Sequence, residues 1–302
     1  MNAGAVLSRR SAVLLVALAQ LAIGAAAVFA RFALVSGGAL AISFARLTLA
    51  ALVVLAVALP RGALRPVGRP TELRLVAAGL LLAVHFAAWI TSLKFASVAI
   101  STLLVCTTPV WAELAAVVRR RSIDAAAAAS VVIALIGVGI VVGAPASANQ
   151  PLGIVLALIG AVAFAAYLIA VRGTDAQSST LVVTSRTYSY AALALGAAAL
   201  VTHDPLPPLT DSRAWGGILA MAFFSQLFGH TALNASVRIL SATLVSTFIL
   251  LEPLIAAVLA AWLFGERIGL QTAFGALLVL IAIGFAVRAP SAAVTPADEP
   301  QT

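Results

Sequence analysis

The chain has 302 residues, 63% of them hydrophobic and 9% charged, with a formal net charge of +8. A soluble domain covers itself with about 25% charged residues, so a wet exterior around one apolar core is excluded and most of the surface must meet lipid. The positive charge is seventeen Arg and one Lys, set singly or in short groups between apolar runs. That is the pattern of membrane topology signals rather than of a phosphate-binding face, and it excludes nucleic acid as a partner.

In chain order the apolar runs fall near 12–34, 39–59, 73–94, 98–118, 124–143, 152–171, 180–201, 214–234, 240–263 and 268–288. Each is about 20 residues, the length a helix needs to cross the hydrocarbon core. The runs are continuously apolar rather than alternating, which favours helices over barrel strands. The longest breaks (60–72, 144–151 and 202–213) leave no room for a soluble domain. Residues 289–302, rich in Ala, Pro and acidic groups, read as a disordered tail. The single cysteine, Cys106, lies inside an apolar run, so no disulfide framework is expected.

Charge sets the orientation. With a cytoplasmic N-terminus, twelve basic residues fall in inside segments: Arg9, Arg10, Arg61, Arg65, Arg69, Arg74, Arg119, Arg120, Arg121, Arg172, Arg238 and Arg288. Four fall outside, namely Arg31, Lys94, Arg213 and Arg267, while Arg46 and Arg186 lie within spans. Both termini are therefore expected in the cytoplasm, with an even number of spans, which ten satisfies.

An internal repeat organises the chain. Ser92 to Trp111 aligns without gaps on Ser236 to Ile255, placing Lys94 on Arg238, Ser97 on Ser241 and Pro109 on Pro253. The end of the first span at Arg31 corresponds to the end of the sixth at Arg172. Each half holds five spans, an odd number, so the halves must insert with opposite orientation. Inverted repeats are a mark of secondary transporters, because mirrored halves give inward-open and outward-open states of similar energy. The expected fold is an all-α integral membrane protein of ten helices in two inverted five-helix repeats, residues 1–143 and 152–288.

The chain resembles the ten-span EamA-type permeases of the drug/metabolite transporter superfamily. The resemblance rests on Pro109 in Thr-Pro-Val-Trp, on Glu252-Pro253, and on Trp262-Leu-Phe-Gly-Glu266-Arg. Such permeases usually carry a Gly-Glu pair after the Pro-containing helix of both halves. Here only the second half does, as Gly265-Glu266, and the first reads Arg120-Arg121-Ser122. The resemblance implies a pseudo-symmetric basket around a central cavity, working by alternating access.

A polar group at mid-span costs a few kcal/mol facing lipid, so it points to the bundle interior or a wet cavity. Gln226, His230 and Asn234 on the eighth span are spaced i, i+4, i+8 and should form one stripe. His85 and Trp89 on the third span also share a face; His85 is a candidate for proton coupling and Trp89 for an aromatic platform or an interfacial anchor. Glu252 sits beside Pro253, whose ring kinks the helix, and its first-half counterpart is Thr108. Gln20 and Tyr167 complete the candidate substrate-binding set, with Pro109 and Pro253 as hinges. The hydroxyls Ser97, Ser101, Thr102, Thr108, Ser241, Thr243, Ser246 and Thr247 read as close-packing or back-bonding groups. Arg46 and Arg186, near the starts of the second and seventh spans, read first as snorkelling side chains and second as ion-pair partners.

The function expected is secondary transport, as an exporter, of small amphipathic metabolites such as amino acids across a bacterial inner membrane. Its expected partners are the lipid bilayer, the cargo and, as a candidate coupling ion, the proton; a homodimer is a candidate assembly. An intramembrane enzyme or a lipid flippase is the alternative. The chain has three His, no His-Glu-x-x-His and no P-loop, so neither a metal site nor a cofactor is expected and ATP is not hydrolysed through that motif.

Overall fold

A computed structural model describes residues 9–62, 66–120, 125–142, 150–174, 178–236, 248–249 and 251–288. Arg65, Arg121, Ser122, Arg238, Ser241, Thr243, Ser246, Thr247 and the tail after Arg288 lie outside the described residues. Helices α1 (Arg9–Gly24), α2 (Ala26–Ala33), α3 (Ala39–Ala58), α4 (Arg69–Ser92), α5 (Val98–Val105), α6 (Thr108–Arg120) and α7 (Ala125–Val142) make the first half. The second holds α8 (Pro151–Arg172), α9 (Thr180–Val201), α10 (Ser212–Ala220), a π-helical stretch (Met221–His230), α11 (Thr231–Ser236), α12 (Leu251–Phe264) and α13 (Leu270–Arg288). No strand occurs among the described residues.

Several elements are pieces of one rod. The α1–α2 break falls at Ala25, beside Gly24, where an added Cβ would meet Ile255 at 2.9 Å. The α5–α6 break falls at Cys106 and Thr107, just before Pro109, whose missing N–H is tolerated in the first turn of α6. Among the described residues, six rods are long and apolar enough to cross a membrane, Arg10–Ala33, Ala39–Ala58, Arg69–Ser92, Val98–Ala115, Pro151–Arg172 and Ser212–Ser236; Ala129–Ile140, Leu251–Phe264 and Leu270–Ala282 are shorter apolar helices. The outer faces carry bare leucines and valines such as Leu14, Leu52, Val155 and Leu193, the exterior that lipid rather than water solvates.

Joining the pieces gives ten segments among the described residues, and their packing is symmetric under exchange of the two halves. α4 packs on α8, as α1 packs on the π stretch; α3 packs on α9, and α7 on α13. Contacts at the helix ends fix direction. The Arg31 guanidinium at the end of α2 donates to the carbonyls of Leu93 and, at 3.1 Å, Ala96, just past the end of α4. At the other end of α4, the Arg74 guanidinium donates to the Gly173 carbonyl at the end of α8. Segments one and six therefore finish at opposite ends of a 24-residue helix, about 36 Å apart at 1.5 Å per residue.

Acidic side chains at the Arg31 end are spent on helix N-termini, where exposed N–H groups favour negative charge. Glu266, following Gly265 at φ +64°, accepts from the Val98 amide at 3.0 Å and the Ala99 amide at 3.4 Å, and stands 3.8 Å from Arg31. The Gly-Glu pair of the second half thus caps a helix of the first. Asp204 accepts from Leu40 and Ala41 at the start of α3. Asp211 caps α10 through the Ala214 amide, and with the Ser36 hydroxyl 2.6 Å away its carboxyl is held below the usual carboxylate range.

Candidate substrate cavity

Between the halves lies a cavity of about 30 Å³, room for a water molecule or two in this conformation. One wall is aromatic. His85 and Trp89, one turn apart on α4, stack at 6.0 Å between ring centroids, and Phe164 of α8 stacks on His85 at 4.5 Å. His230, at the end of the π stretch, sets its ring at right angles to Phe164 at 5.6 Å. His85 Nδ1 lies 2.9 Å from the Gly160 carbonyl; a carbonyl only accepts, so Nδ1 carries the hydrogen and the neutral ring keeps Nε2 as an acceptor.

Four polar side chains line the same cavity. Thr102, Cys106 and Thr108 come from the broken α5–α6 rod, and Glu252 from α12. The Cys106 thiol lies 3.5 Å from a Glu252 carboxylate oxygen. Thr108 back-bonds to the Val105 carbonyl at 2.9 Å, as expected for a mid-span hydroxyl, and Ser101 shares a 2.6 Å hydrogen bond with Ser92. Ile23, Val105, Leu233 and Ile249 fill the remaining lining. Two buried polar atoms of the wall, Trp89 Nε1 and Thr102 Oγ1, have no hydrogen-bond partner among the described residues.

Of the candidates raised by sequence, His85, Trp89, His230 and Glu252 meet at this cavity. Trp89 is 5% exposed and belongs to the wall, not to a surface belt. Tyr167 and Asn234 bond each other behind it, the Asn234 amide donating to the phenol oxygen at 2.8 Å. Gln226 bonds Arg46 and does not line the cavity. Gln20 is wholly buried on α1, one turn from Ile23, with both amide atoms unpartnered among the described residues. Pro109 opens α6 and Pro253 lies in the first turn of α12.

Arg46 departs most from expectation. It is 0% exposed and so does not snorkel. Its Nη2 donates to Gln226 Oε1 at 2.7 Å, and its guanidinium carbon sits 4.1 Å above the Phe86 ring. Phe86 in turn meets the His230 ring at 5.4 Å, and Arg46 is not among the residues lining the cavity. Its counterpart Arg186 has a carboxylate: it pairs with Glu72, which also accepts from the Tyr190 hydroxyl. Phe86 and Phe164 drew no attention in the sequence, and Cys106 did so only as a lone cysteine without a disulfide partner. Phe164 lies one turn before Tyr167, the only periodic signal that points to it.

Fold and site together define a multi-pass helical membrane protein whose two halves enclose a cavity. The EamA-like transporter family matches residues 10–143 and 151–288, nearly the whole described chain. The chain belongs to that family, and is a membrane transporter of the drug/metabolite type. A crystal structure titled only as that of a protein is similar, with a TM-score of 0.66 and 20% identity over 92% of this chain and 97% of that one. At such identity the likeness concerns the fold alone. No protein of curated function matches.

Proposed function

We propose that the chain is a ten-span secondary carrier of inverted repeats, exporting small amphipathic metabolites such as amino acids by alternating access. The observation that carries this reading is the cavity between the halves, lined by rings together with a carboxylate and hydroxyls. Such a lining suits a cargo with an apolar body and a polar head. The opposite ends reached by segments one and six support inversion, and the arginine count supports cytoplasmic termini in a bacterial inner membrane. Intramembrane chemistry has less support, since among the described residues no three His, Cys, Asp or Glu side chains gather as a metal site.

Cells with and without the protein, compared for retention and release of metabolites, identify the cargo. Replacing His230 with Leu should lower release of that cargo at least about tenfold while membrane levels stay unchanged. Normal release from the variant would remove His230 from the path. Glu252 and His85 facing one cavity make the proton the coupling ion to test first, and flux in reconstituted vesicles that ignores an imposed pH gradient would dismiss it.

A further inference from the structure

The cavity also says which group on the cargo it is built to hold, provided that it is the cargo path. Glu252 is the one carboxylate on its described wall. Among the described side chains, the hydrogen bond it receives is from a thiol at 3.5 Å, a weak donor that leaves most of the acceptor capacity free. Thr102 stands one helical turn before Cys106 on the same rod, so its unpartnered hydroxyl oxygen lies on the side that meets Glu252. Trp89, His85 and Phe164 line the same cavity, and an aromatic face left open to it attracts a cation through its quadrupole.

No comparable site for an anion opens on the cavity. The buried guanidinium of Arg46 lies on the face of Phe86, whose ring meets His230, and it is not among the residues lining the cavity. A carboxylate cargo would find rings where it needs a cation, whereas a cationic cargo finds a carboxylate, a hydroxyl and π faces.

We propose that Glu252 and Thr102, in the cavity that Trp89, His85 and Phe164 also line, form an ammonium subsite, so that the protein selects primary amines with an apolar body. An α-amino acid would enter by its ammonium, with its carboxylate dispensable. The N–H groups donate to a Glu252 oxygen and to Thr102 Oγ1, and the carbon body lies along the rings.

The test uses the full-length protein in detergent and three probes of one shape: 2-phenylethylamine, 2-phenylethanol and 3-phenylpropionate. Affinities are measured by titration calorimetry for the wild type, Glu252→Gln and Glu252→Asp. The amine should bind the wild type most tightly, and Glu252→Gln should weaken it about thirtyfold or more, the scale for removing one partner of a desolvated charge pair. The alcohol should change little, and Glu252→Asp should keep the preference for the amine. An alcohol or acid bound as tightly as the amine overturns the subsite, as does an amine that fails to bind or is indifferent to Glu252→Gln. If Glu252→Gln does not fold, the wild-type series and Glu252→Asp still decide. Flux in vesicles separates the two readings. An amine that binds through Glu252 but is never carried defeats transport and leaves the subsite standing. A carried cargo whose flux ignores Glu252→Gln does the reverse.

Discussion

Arg46 shows how much a single side chain can commit in a membrane. It sits seven residues into the 20-residue α3, about 10 Å along the axis, where an unpaired cation is costly. No carboxylate is described as its partner; Gln226 and the Phe86 face are. Gln226→Leu should therefore destabilise the protein by about 2 kcal/mol, the scale of a hydrogen bond to a charged group. Arg46→Met removes the charge but strands the Gln226 carbonyl. The double variant should be more stable than the sum of the two, because replacing both partners of a buried polar pair costs less than breaking it. Unfolding of the four proteins in mixed micelles gives the coupling, and strict additivity would show that the two groups do not depend on one another. Sequence made the pair hard to see. Arg46 and Gln226 are 180 residues apart, and an arginine near the start of a span ordinarily reaches for the headgroups. By contrast His85 and Trp89 were legible as a pair, since four residues on a regular α-helix share one face.

At the scale of the element, spacing puts side chains on a face but does not name the groups they meet. The apolar runs locate the rods because lipid demands length, and length is read directly from sequence. Of the eighth-segment stripe, His230 lines the cavity while Gln226 is held by Arg46 and Asn234 by Tyr167, partners that spacing along one helix does not announce. Glycines mark the other unseen constraint, close approach. A Cβ on Gly217 of α10 would lie 2.5 Å from the Phe29 carbonyl oxygen of α2, and that backbone atom cannot swing aside. Gly217→Ala should push α10 off α2 and cost about 1–3 kcal/mol, as overpacking does. Gly139→Ala, with nothing within 4 Å, should be neutral or stabilise α7 by up to about 1 kcal/mol through helix propensity. Thermal midpoints in detergent compare them. Equal midpoints for the two variants would mean that α10 can yield at Gly217 without cost to the α2–α10 packing.

For the whole molecule, the repeat alignment was legible through Pro109 and Pro253, yet the ties between the halves were not, since they join chain segments more than a hundred residues apart. Glu266 joins α12 to α5 and Arg31 at one end. Glu72 joins α4 to Arg186 and Tyr190 of α9 at the other. On the proposed cycle the halves rock about a central cargo site, so a tie at one mouth has to part in one half of each turnover. A permanent link there should stop the cycle without emptying the cavity. Glu72→Cys combined with Arg186→Cys, leaving the buried Cys106 in place, can be bridged by a short cleavable thiol reagent. Flux in vesicles should fall at least about tenfold on bridging and return on cleavage, as expected when a gating motion is held and released, while ligand binding to the bridged protein persists. Neither single cysteine should respond to the reagent in this way. Flux that continues through the bridged protein would mean that α4 and α9 stay together throughout the cycle, and would move the gate to the Arg31–Glu266 end.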